Sequence, residues 1–330
     1  MIITQTACSS DTEPVTGENY LLDTVCEIDI YEIENDDGES AAASGEEDKA
    51  QDAITAAYKL CSELEQKLSR TIETSEISAV NNAGGEWVSV SDDTLELIKR
   101  GLYYSELSGG EFDITIGGVS DLWDFHSEDA ALPDEGDLAE AASHVGWENV
   151  EIDGNKVRIT DPDARIDLGG IAKGYIGDRM TENLESTGVT SAIINLGGNV
   201  ICIGGKPDAD GFNIGIETPY SDRTEVIGSV TVSDKTLVTS GVFERYIESD
   251  GKKYHHILST ETGWPVETDL DAVTLIADKG MSGDADAMST ICLIKGYEEA
   301  RQLIESTDGV EAVFIMADGN VKTTEGVSLN

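Results

Sequence analysis

One stretch in the middle of the chain has little freedom in how it can fold: Arg165-Ile166-Asp167-Leu168-Gly169-Gly170-Ile171-Ala172-Lys173-Gly174-Tyr175. A short apolar strand runs into two glycines and then into a helix beginning near Ile171, which aims backbone N–H groups and one lysine at an anion. Further along, Ala285-Asp286-Ala287-Met288-Ser289-Thr290 sets a carboxylate and a hydroxyl four residues apart on one helix face. Both oxygens can then reach one hard cation. Taken singly, a Gly-Gly is a tight turn and an Asp with a Thr at i+4 is a solvated pair. Taken together, they suggest a magnesium ion facing a bound diphosphate.

Four more segments bear on whether the two belong to one site. They are Gly110-Glu111-Phe112-Asp113-Ile114-Thr115-Ile116-Gly117, Asn195-Leu196-Gly197-Gly198-Asn199, Thr239-Ser240-Gly241, and His255-His256-Ile257-Leu258 leading to Thr262-Gly263-Trp264-Pro265. In this order and at these spacings the set resembles the ApbE family of FAD:protein FMN transferases. The resemblance runs from about Asp23 to the C-terminus and takes in Ser75-Glu76-Ile77-Ser78 before Asn81 and Leu122-Trp123-Asp124-Phe125.

The resemblance implies a compact α+β body of T-fold type with the cofactor in a cleft between two lobes. It also implies a reaction in which the FMN half of FAD passes to a Ser or Thr hydroxyl of a target flavoprotein while AMP leaves. By similarity, Asp286 and Thr290 are side-chain ligands of Mg²⁺, and Gly170 adds its backbone carbonyl. Lys173 pairs with a phosphate oxygen and Asp167 with a polar group of FAD, while Glu111, Phe112 and Asp113 line the flavin or adenosine pocket. Leu22 and Thr71 fall near family cofactor contacts, and Ile257 touches the cofactor through its backbone. Asp284 stands one turn early for the pattern. His256 matches the family histidine and is the natural general base for the acceptor hydroxyl, since imidazole titrates near working pH; His255 competes for that role. Where the family continues with Asp-Pro, this chain has Ser259-Thr260.

Charge narrows the partners. Asp and Glu number 66 against 21 Lys and Arg, a formal charge of −45, so nucleic acid and anionic membrane surfaces would be repelled. A dinucleotide is also anionic, so its site needs a local cation, which magnesium and Lys173 would supply. No apolar run approaches the roughly 20 residues of a spanning helix. Ala7-Cys8-Ser9-Ser10-Asp11 looks like the start of a mature bacterial lipoprotein, which would anchor the protein by lipid at the extracytoplasmic face of the membrane; the alternative is a chance cysteine in a frayed terminus. Cys26, Cys61, Cys202 and Cys292 lie in apolar patterns without metal-ligand spacing and read as buried reduced thiols.

Periodicity divides the chain into a flexible segment over residues 1–20 and one domain over 21–330. A half-buried strand is expected over Leu21 to Ile33 and an acidic loop over Asn35 to Lys49. An amphipathic helix follows from Asp52 to Leu68, and a strand near Trp87 to Val90 leads to a helix from Asp92 capped by Ser91. A hairpin pairs Val150-Glu151-Ile152 with Val157-Arg158-Ile159 across an Asp-Gly-Asn turn. A helix over Ala172 to Glu185 leads to strands at Ala192–Asn195, Val200–Ile203, Asn213–Glu217 and Val226–Val232. Helices at Asp284–Ile294 and Glu298–Glu305 precede a hairpin of Ala312–Met316 with Val321–Thr323. Strands and helices mix without a βαβ beat, which favours α+β over a doubly wound sheet. Two other activities fit the same motifs: water in place of the acceptor hydroxyl would make an FAD pyrophosphatase yielding FMN and AMP, and loss of turnover would leave an FAD-binding lipoprotein. The chain holds no Asp-Gly-x-Ser/Thr-Gly-Ala-Thr sequence, so the acceptor is another protein.

Overall fold

The computed structural model describes residues 2–3, 13–123, 125, 131–221 and 225–330. Cys8 and Asp124 lie outside the described residues. The architecture is mixed α+β around one nine-stranded antiparallel sheet. Eight of its strands are β1 (Val15–Leu21), β2 (Thr24–Glu34), β3 (Val189–Leu196), β4 (Asn199–Ile203), β5 (Lys235–Gly241), β6 (Leu270–Asp278), β7 (Val310–Met316) and β8 (Val321–Thr323). They lie side by side in that same order, and Ser40–Ala42 adds a short ninth strand on β2.

Both faces of this sheet are covered. On one face lie α1 (Glu47–Leu68), α3 (Ala172–Ser186) and α4 (Ser282–Lys295), with α2 (Asp92–Leu107) behind them and α5 (Tyr297–Glu305) against β7. On the other, Phe212–Glu217 and Val226–Val232 form a small sheet that also takes in Ile2–Ile3. Alternation within a strand divides its side chains between the two layers: Ala192, Ile194 and Leu196 of β3 face the helices, whereas Ile193 joins Tyr31, Phe212 and Ile214. That is why the central strands read as near-continuous apolar runs. A third, smaller core gathers Val119, Trp123, Leu138, Ile247 and Leu258 in a second lobe beside the helices.

Several boundaries differ from the sequence expectations. The strand expected from Leu21 is two strands, because Leu22 and Asp23 both take positive φ of 55° and form a two-residue hairpin turn between paired Leu21 and Thr24. β1 therefore lies mostly in the stretch expected to be flexible; with only Val15 and Leu21 turned toward the core, it carries little apolar signal. The acidic loop after Asn35 contains the short strand and a turn of 3₁₀-helix at Ala43–Gly45, and α1 starts five residues early at Glu47. Ser91 occupies the N-cap of α2, but its hydroxyl bonds Glu76 and Thr94 rather than a helix N–H. β5, β6 and the hairpin Tyr246–Ser249 with Lys252–His255 had no counterpart in the sequence reading. The hairpin of Val150–Asp153 with Lys156–Ile159 has the expected register, and the four cysteines from Cys26 onward are buried and reduced.

The contact between α3 and α4 is unusually close. A Cβ built on Gly174 would stand 2.1 Å from the Ser282 carbonyl oxygen, so only glycine permits this separation. From α3, the Asp178 carboxylate accepts the N–H groups of Ser282 and Gly283, each at 2.9 Å, and so caps the start of α4. Burial pushes the Asp178 carboxyl up to about 6, outweighing those two N–H groups and the Arg100 guanidinium, which pull it down. The folded carboxyl thus holds its proton to higher pH than the unfolded one. It favours the folded state at low pH, and that contribution is lost as pH rises through the interval between the two values. Between pH 5 and 7 the protein should lose about 1 kcal/mol from this group. Urea midpoints across that range should show this loss in the native protein and not in Asp178→Asn; parallel slopes would contradict it.

Candidate functional site

The N-terminus of α3 opens into a cleft of about 380 Å³, within the roughly 300–1,000 Å³ typical of small-molecule sites. No side chain of its own caps α3. Instead the Gly174 N–H donates to Asp286 Oδ2 at 2.9 Å, so a carboxylate from α4 takes the cap position. The other carboxylate oxygen accepts from Asn199 Nδ2 at 3.2 Å, at the start of β4. Asp286 is only 4% exposed, and burial raises its pKa against the opposing pull of Lys173, Gly174 and Asn199. The remaining amide oxygen of Asn199, Oδ1, is buried with no hydrogen-bond partner among the described residues.

The glycine turn converges on the same point. A Cβ on Gly170 would lie 2.9 Å from the Phe112 ring and 3.8 Å from Thr290 Oγ1, and Thr290 Oγ1 is 3.5 Å from the Asp286 carbonyl oxygen. Carboxylate, hydroxyl and backbone carbonyl are all hard oxygen donors, the chemistry that suits Mg²⁺ rather than a softer metal. Lys173 lies in the first turn of α3 and lines the cleft. Seven carboxylates border the cleft against the three cations Arg70, Lys173 and Arg245. An anionic ligand would therefore enter only with further positive charge.

Leu22, Thr71, Glu111, Phe112, Asp113, Asp167, His256 and Ile257 line this cleft too, but their atoms are used differently. Asp113 Oδ1 accepts from Thr115 N and Oγ1 at 2.8 and 2.7 Å, and Oδ2 accepts from Trp147 N at 2.8 Å, so its carboxylate is bound within its own loop. Asp167 accepts Gly169 N–H on one oxygen and Arg70 Nε on the other, both at 2.8 Å. Glu111 pairs with Lys295 at the end of α4, while Phe112 is 8% exposed against Gly170. Leu22 sits in the strained turn, its N–H donating to Glu65 Oε1 at 2.8 Å. Thr71 Oγ1 is 2.9 Å from Ser69 Oγ, and the Ile257 carbonyl accepts Val266 N–H at 3.0 Å.

The histidines separate cleanly. His256 lines the cleft with Nδ1 3.2 Å from the Arg245 carbonyl, and since a carbonyl can only accept, Nδ1 carries the proton and Nε2 the basic lone pair. His255 points elsewhere: its Nε2 donates to the Val266 carbonyl at 3.1 Å, and burial lowers its pKa to about 4. Of the two, His256 alone borders the cleft. The Ser259-Thr260 departure leaves the loop anchored, with Thr260 Oγ1 donating to the Gly110 carbonyl at 2.9 Å and Ser259 Oγ accepting two N–H groups. Asp284 turns away to Arg100, 3.6 Å from its Nε. Sequence reasoning gave no role to Arg70, Asn199 or the stacked Trp123 and Phe125, whose centroids are 5.4 Å apart, with Phe125 edge-on to His256. Asn199 stood inside a quoted motif, and Arg70 is adjacent to Thr71; neither spacing nor periodicity reports what such a side chain touches.

Comparison with known proteins points one way. The model of the ApbE family matches residues 22–314. A relative from Treponema pallidum named FAD:protein FMN transferase is 33% identical, over 83% of this chain and 80% of its own length. A Klebsiella pneumoniae protein of the same name is 32% identical, covering 80% and 82%. Among solved structures, the ApbE protein of Thermotoga maritima superposes with a TM-score of 0.83 at 29% identity, covering 95% of this chain and 97% of that one. The flavin transferase ApbE from Vibrio cholerae gives 0.79 at 25% identity, covering 94% and 96%.

A buried carboxylate with no direct ion pair among the described residues is a liability for folding. Asp286→Asn should stabilise the ligand-free protein by about 1 kcal/mol, because it removes a buried charge while the new amide keeps an acceptor for Gly174 N–H and a donor for a flipped Asn199. A lower urea midpoint for the variant, measured without metal or nucleotide, would contradict this.

Proposed function

The chain belongs to the ApbE family, and with that as premise we propose that it is an FAD:protein FMN transferase whose α3–α4 junction holds Mg²⁺ against the diphosphate of FAD. The observation that carries this is the convergence of Asp286, Thr290 and Gly170 on the capped end of α3, in the same cleft as Lys173 and His256. The donor set fits the ion: Asp286 is buried with its pKa raised, and the cleft wall is rich in carboxylates. Asp286 Oδ, Thr290 Oγ1 and the Gly170 carbonyl would hold the metal, which when bound neutralises and polarises the diphosphate.

The chain's own groups supply the rest. Lys173 binds phosphate oxygens that gain charge as AMP departs. His256 Nε2 takes the proton from the acceptor Ser or Thr hydroxyl as that oxygen bonds to the FMN phosphorus and the bond to the AMP phosphate breaks. Because Nδ1 is held on the Arg245 carbonyl, the ring need not change tautomer before it acts. Trp123, Phe125 and Phe112 give the cleft apolar surface for aromatic rings of the dinucleotide. The acceptor is a flavoprotein with a Ser or Thr flavinylation site, of the kind found in redox pumps and FMN-binding domains. Lipid attachment at Cys8 would place the enzyme at the extracytoplasmic face of the membrane; mass analysis of the protein from its native host should find a diacylglyceryl adduct there, and an unmodified cysteine would refute the anchor.

The test is incubation with FAD and Mg²⁺, with and without an acceptor domain, following AMP and covalent flavin by mass. Labelled acceptor plus AMP, both lost in Asp286→Ala, is expected. His256→Asn should lower labelling by about 10²–10⁴-fold while FAD binding persists. Release of AMP and free FMN regardless of acceptor would make the protein a pyrophosphatase, and FAD recovered intact would overturn the catalytic reading.

A further inference from the structure

Arg70 is a cleft residue for which neither the motifs nor the reaction has a use. It stands just past Ser69, the residue that ends α1, its backbone carbonyl accepts Ser78 Oγ at 3.0 Å, and its side chain is 22% exposed. Its guanidinium reaches across the cleft wall in two directions. Nε donates to Asp167 Oδ2 at 2.8 Å, and Nη1 bonds Asp121, just beyond the short helix Gly117–Ser120. One guanidinium between two carboxylates leaves a net negative trio, so Arg70 offers little attraction to a phosphate.

What it does control is Asp167. That carboxylate uses its other oxygen to accept Gly169 N–H at 2.8 Å, which shapes the turn through Gly169 and Gly170. A Cβ on Gly169 would already be 3.0 Å from Asp167 Oδ1, so the turn is wrapped closely around the carboxylate. The turn then delivers Gly170 to Thr290 and starts α3 one residue before Lys173. We propose that Arg70 is a positioning residue: by holding the Asp167 carboxylate in place, it fixes the Gly169–Gly170 turn that presents backbone groups to the metal and the diphosphate. The inference rests on the reading of the cleft as the FAD site only for its consequence; the effect on the turn is independent of it.

Two measurements separate these levels. Amide hydrogen exchange on the ligand-free protein should show faster exchange at Gly169 and Ile171 in Arg70→Met than in the native protein, with the melting temperature of the sheet core little changed. In the transfer assay, Arg70→Met should raise the half-saturating Mg²⁺ concentration by about tenfold or more, with Arg70→Lys intermediate because it keeps the charge but not the planar fork. The pair should be coupled: Arg70→Met combined with Asp167→Asn should cost no more than Asp167→Asn alone. Unchanged exchange at the turn, or additive effects in the double variant, would overturn the proposal. Absence of flavin transfer by the native protein would instead count against the function, while the exchange result would still judge Arg70.

Discussion

Everything in the cleft depends on two helices that cap each other. Asp178 leaves α3 to satisfy the first N–H groups of α4, and Asp286 leaves α4 to satisfy an N–H of α3. Helix starts leave backbone donors without internal partners, and buried ones must be answered from elsewhere. Here each helix answers for the other, which is possible only because Gly174 lets the backbones meet. The exchange fixes the rotation and depth of both helices at once, so Lys173, Asp286 and Thr290 inherit their places from it.

The arrangement has an electrostatic cost. Two buried aspartates, both with raised pKa, lie at one helix junction of a chain already carrying a formal charge of −45. Asp178 is partly compensated by Arg100 at 3.8 Å, whereas Asp286 has Lys173 and hydrogen bonds but no direct ion pair among the described residues. A protein selected for stability alone would place neutral groups there. Keeping Asp286 ionisable is consistent with the cation-ligand role proposed for it, and it sets the cleft apart from the surface ion pairs elsewhere in the molecule.

The motif segments were legible because each needs particular residues at particular spacings: two glycines before a helix, a carboxylate one turn before a hydroxyl. Their convergence on one cleft follows from the sheet, which no local pattern encodes. β5 escaped notice because Leu237 and Val238 are its only large apolar residues among Lys, Thr, Ser and Gly, while β1 has too few inward residues to stand out. The turn at Leu22–Asp23 was hidden since Leu22 is a poor residue for positive φ; tertiary contacts, including the bond from Leu22 N–H to Glu65, hold it there. Asp113 and Asp167 show a subtler gap. Their positions in the cleft could be carried over from a family pattern, yet only the hydrogen bonds reveal that both carboxylates are engaged within the protein.

The main sheet lists its strands in chain order, and this bears on how the molecule is made. β3 to β8 follow one another with modest excursions, but β2 and β3 are neighbours although residues 35–188 intervene. That excursion holds the glycine turn and the start of α3, while the residues that complete the site, Asp286 and Thr290, come near the end of the chain. A nascent polypeptide emerging N-terminus first therefore exposes α3 with an unanswered, anion-attracting end for as long as the rest is being synthesised. The site as proposed is incomplete until Asp286 and Thr290 have emerged, and a product terminated just before them would keep β1 to β6 while lacking those two oxygen donors.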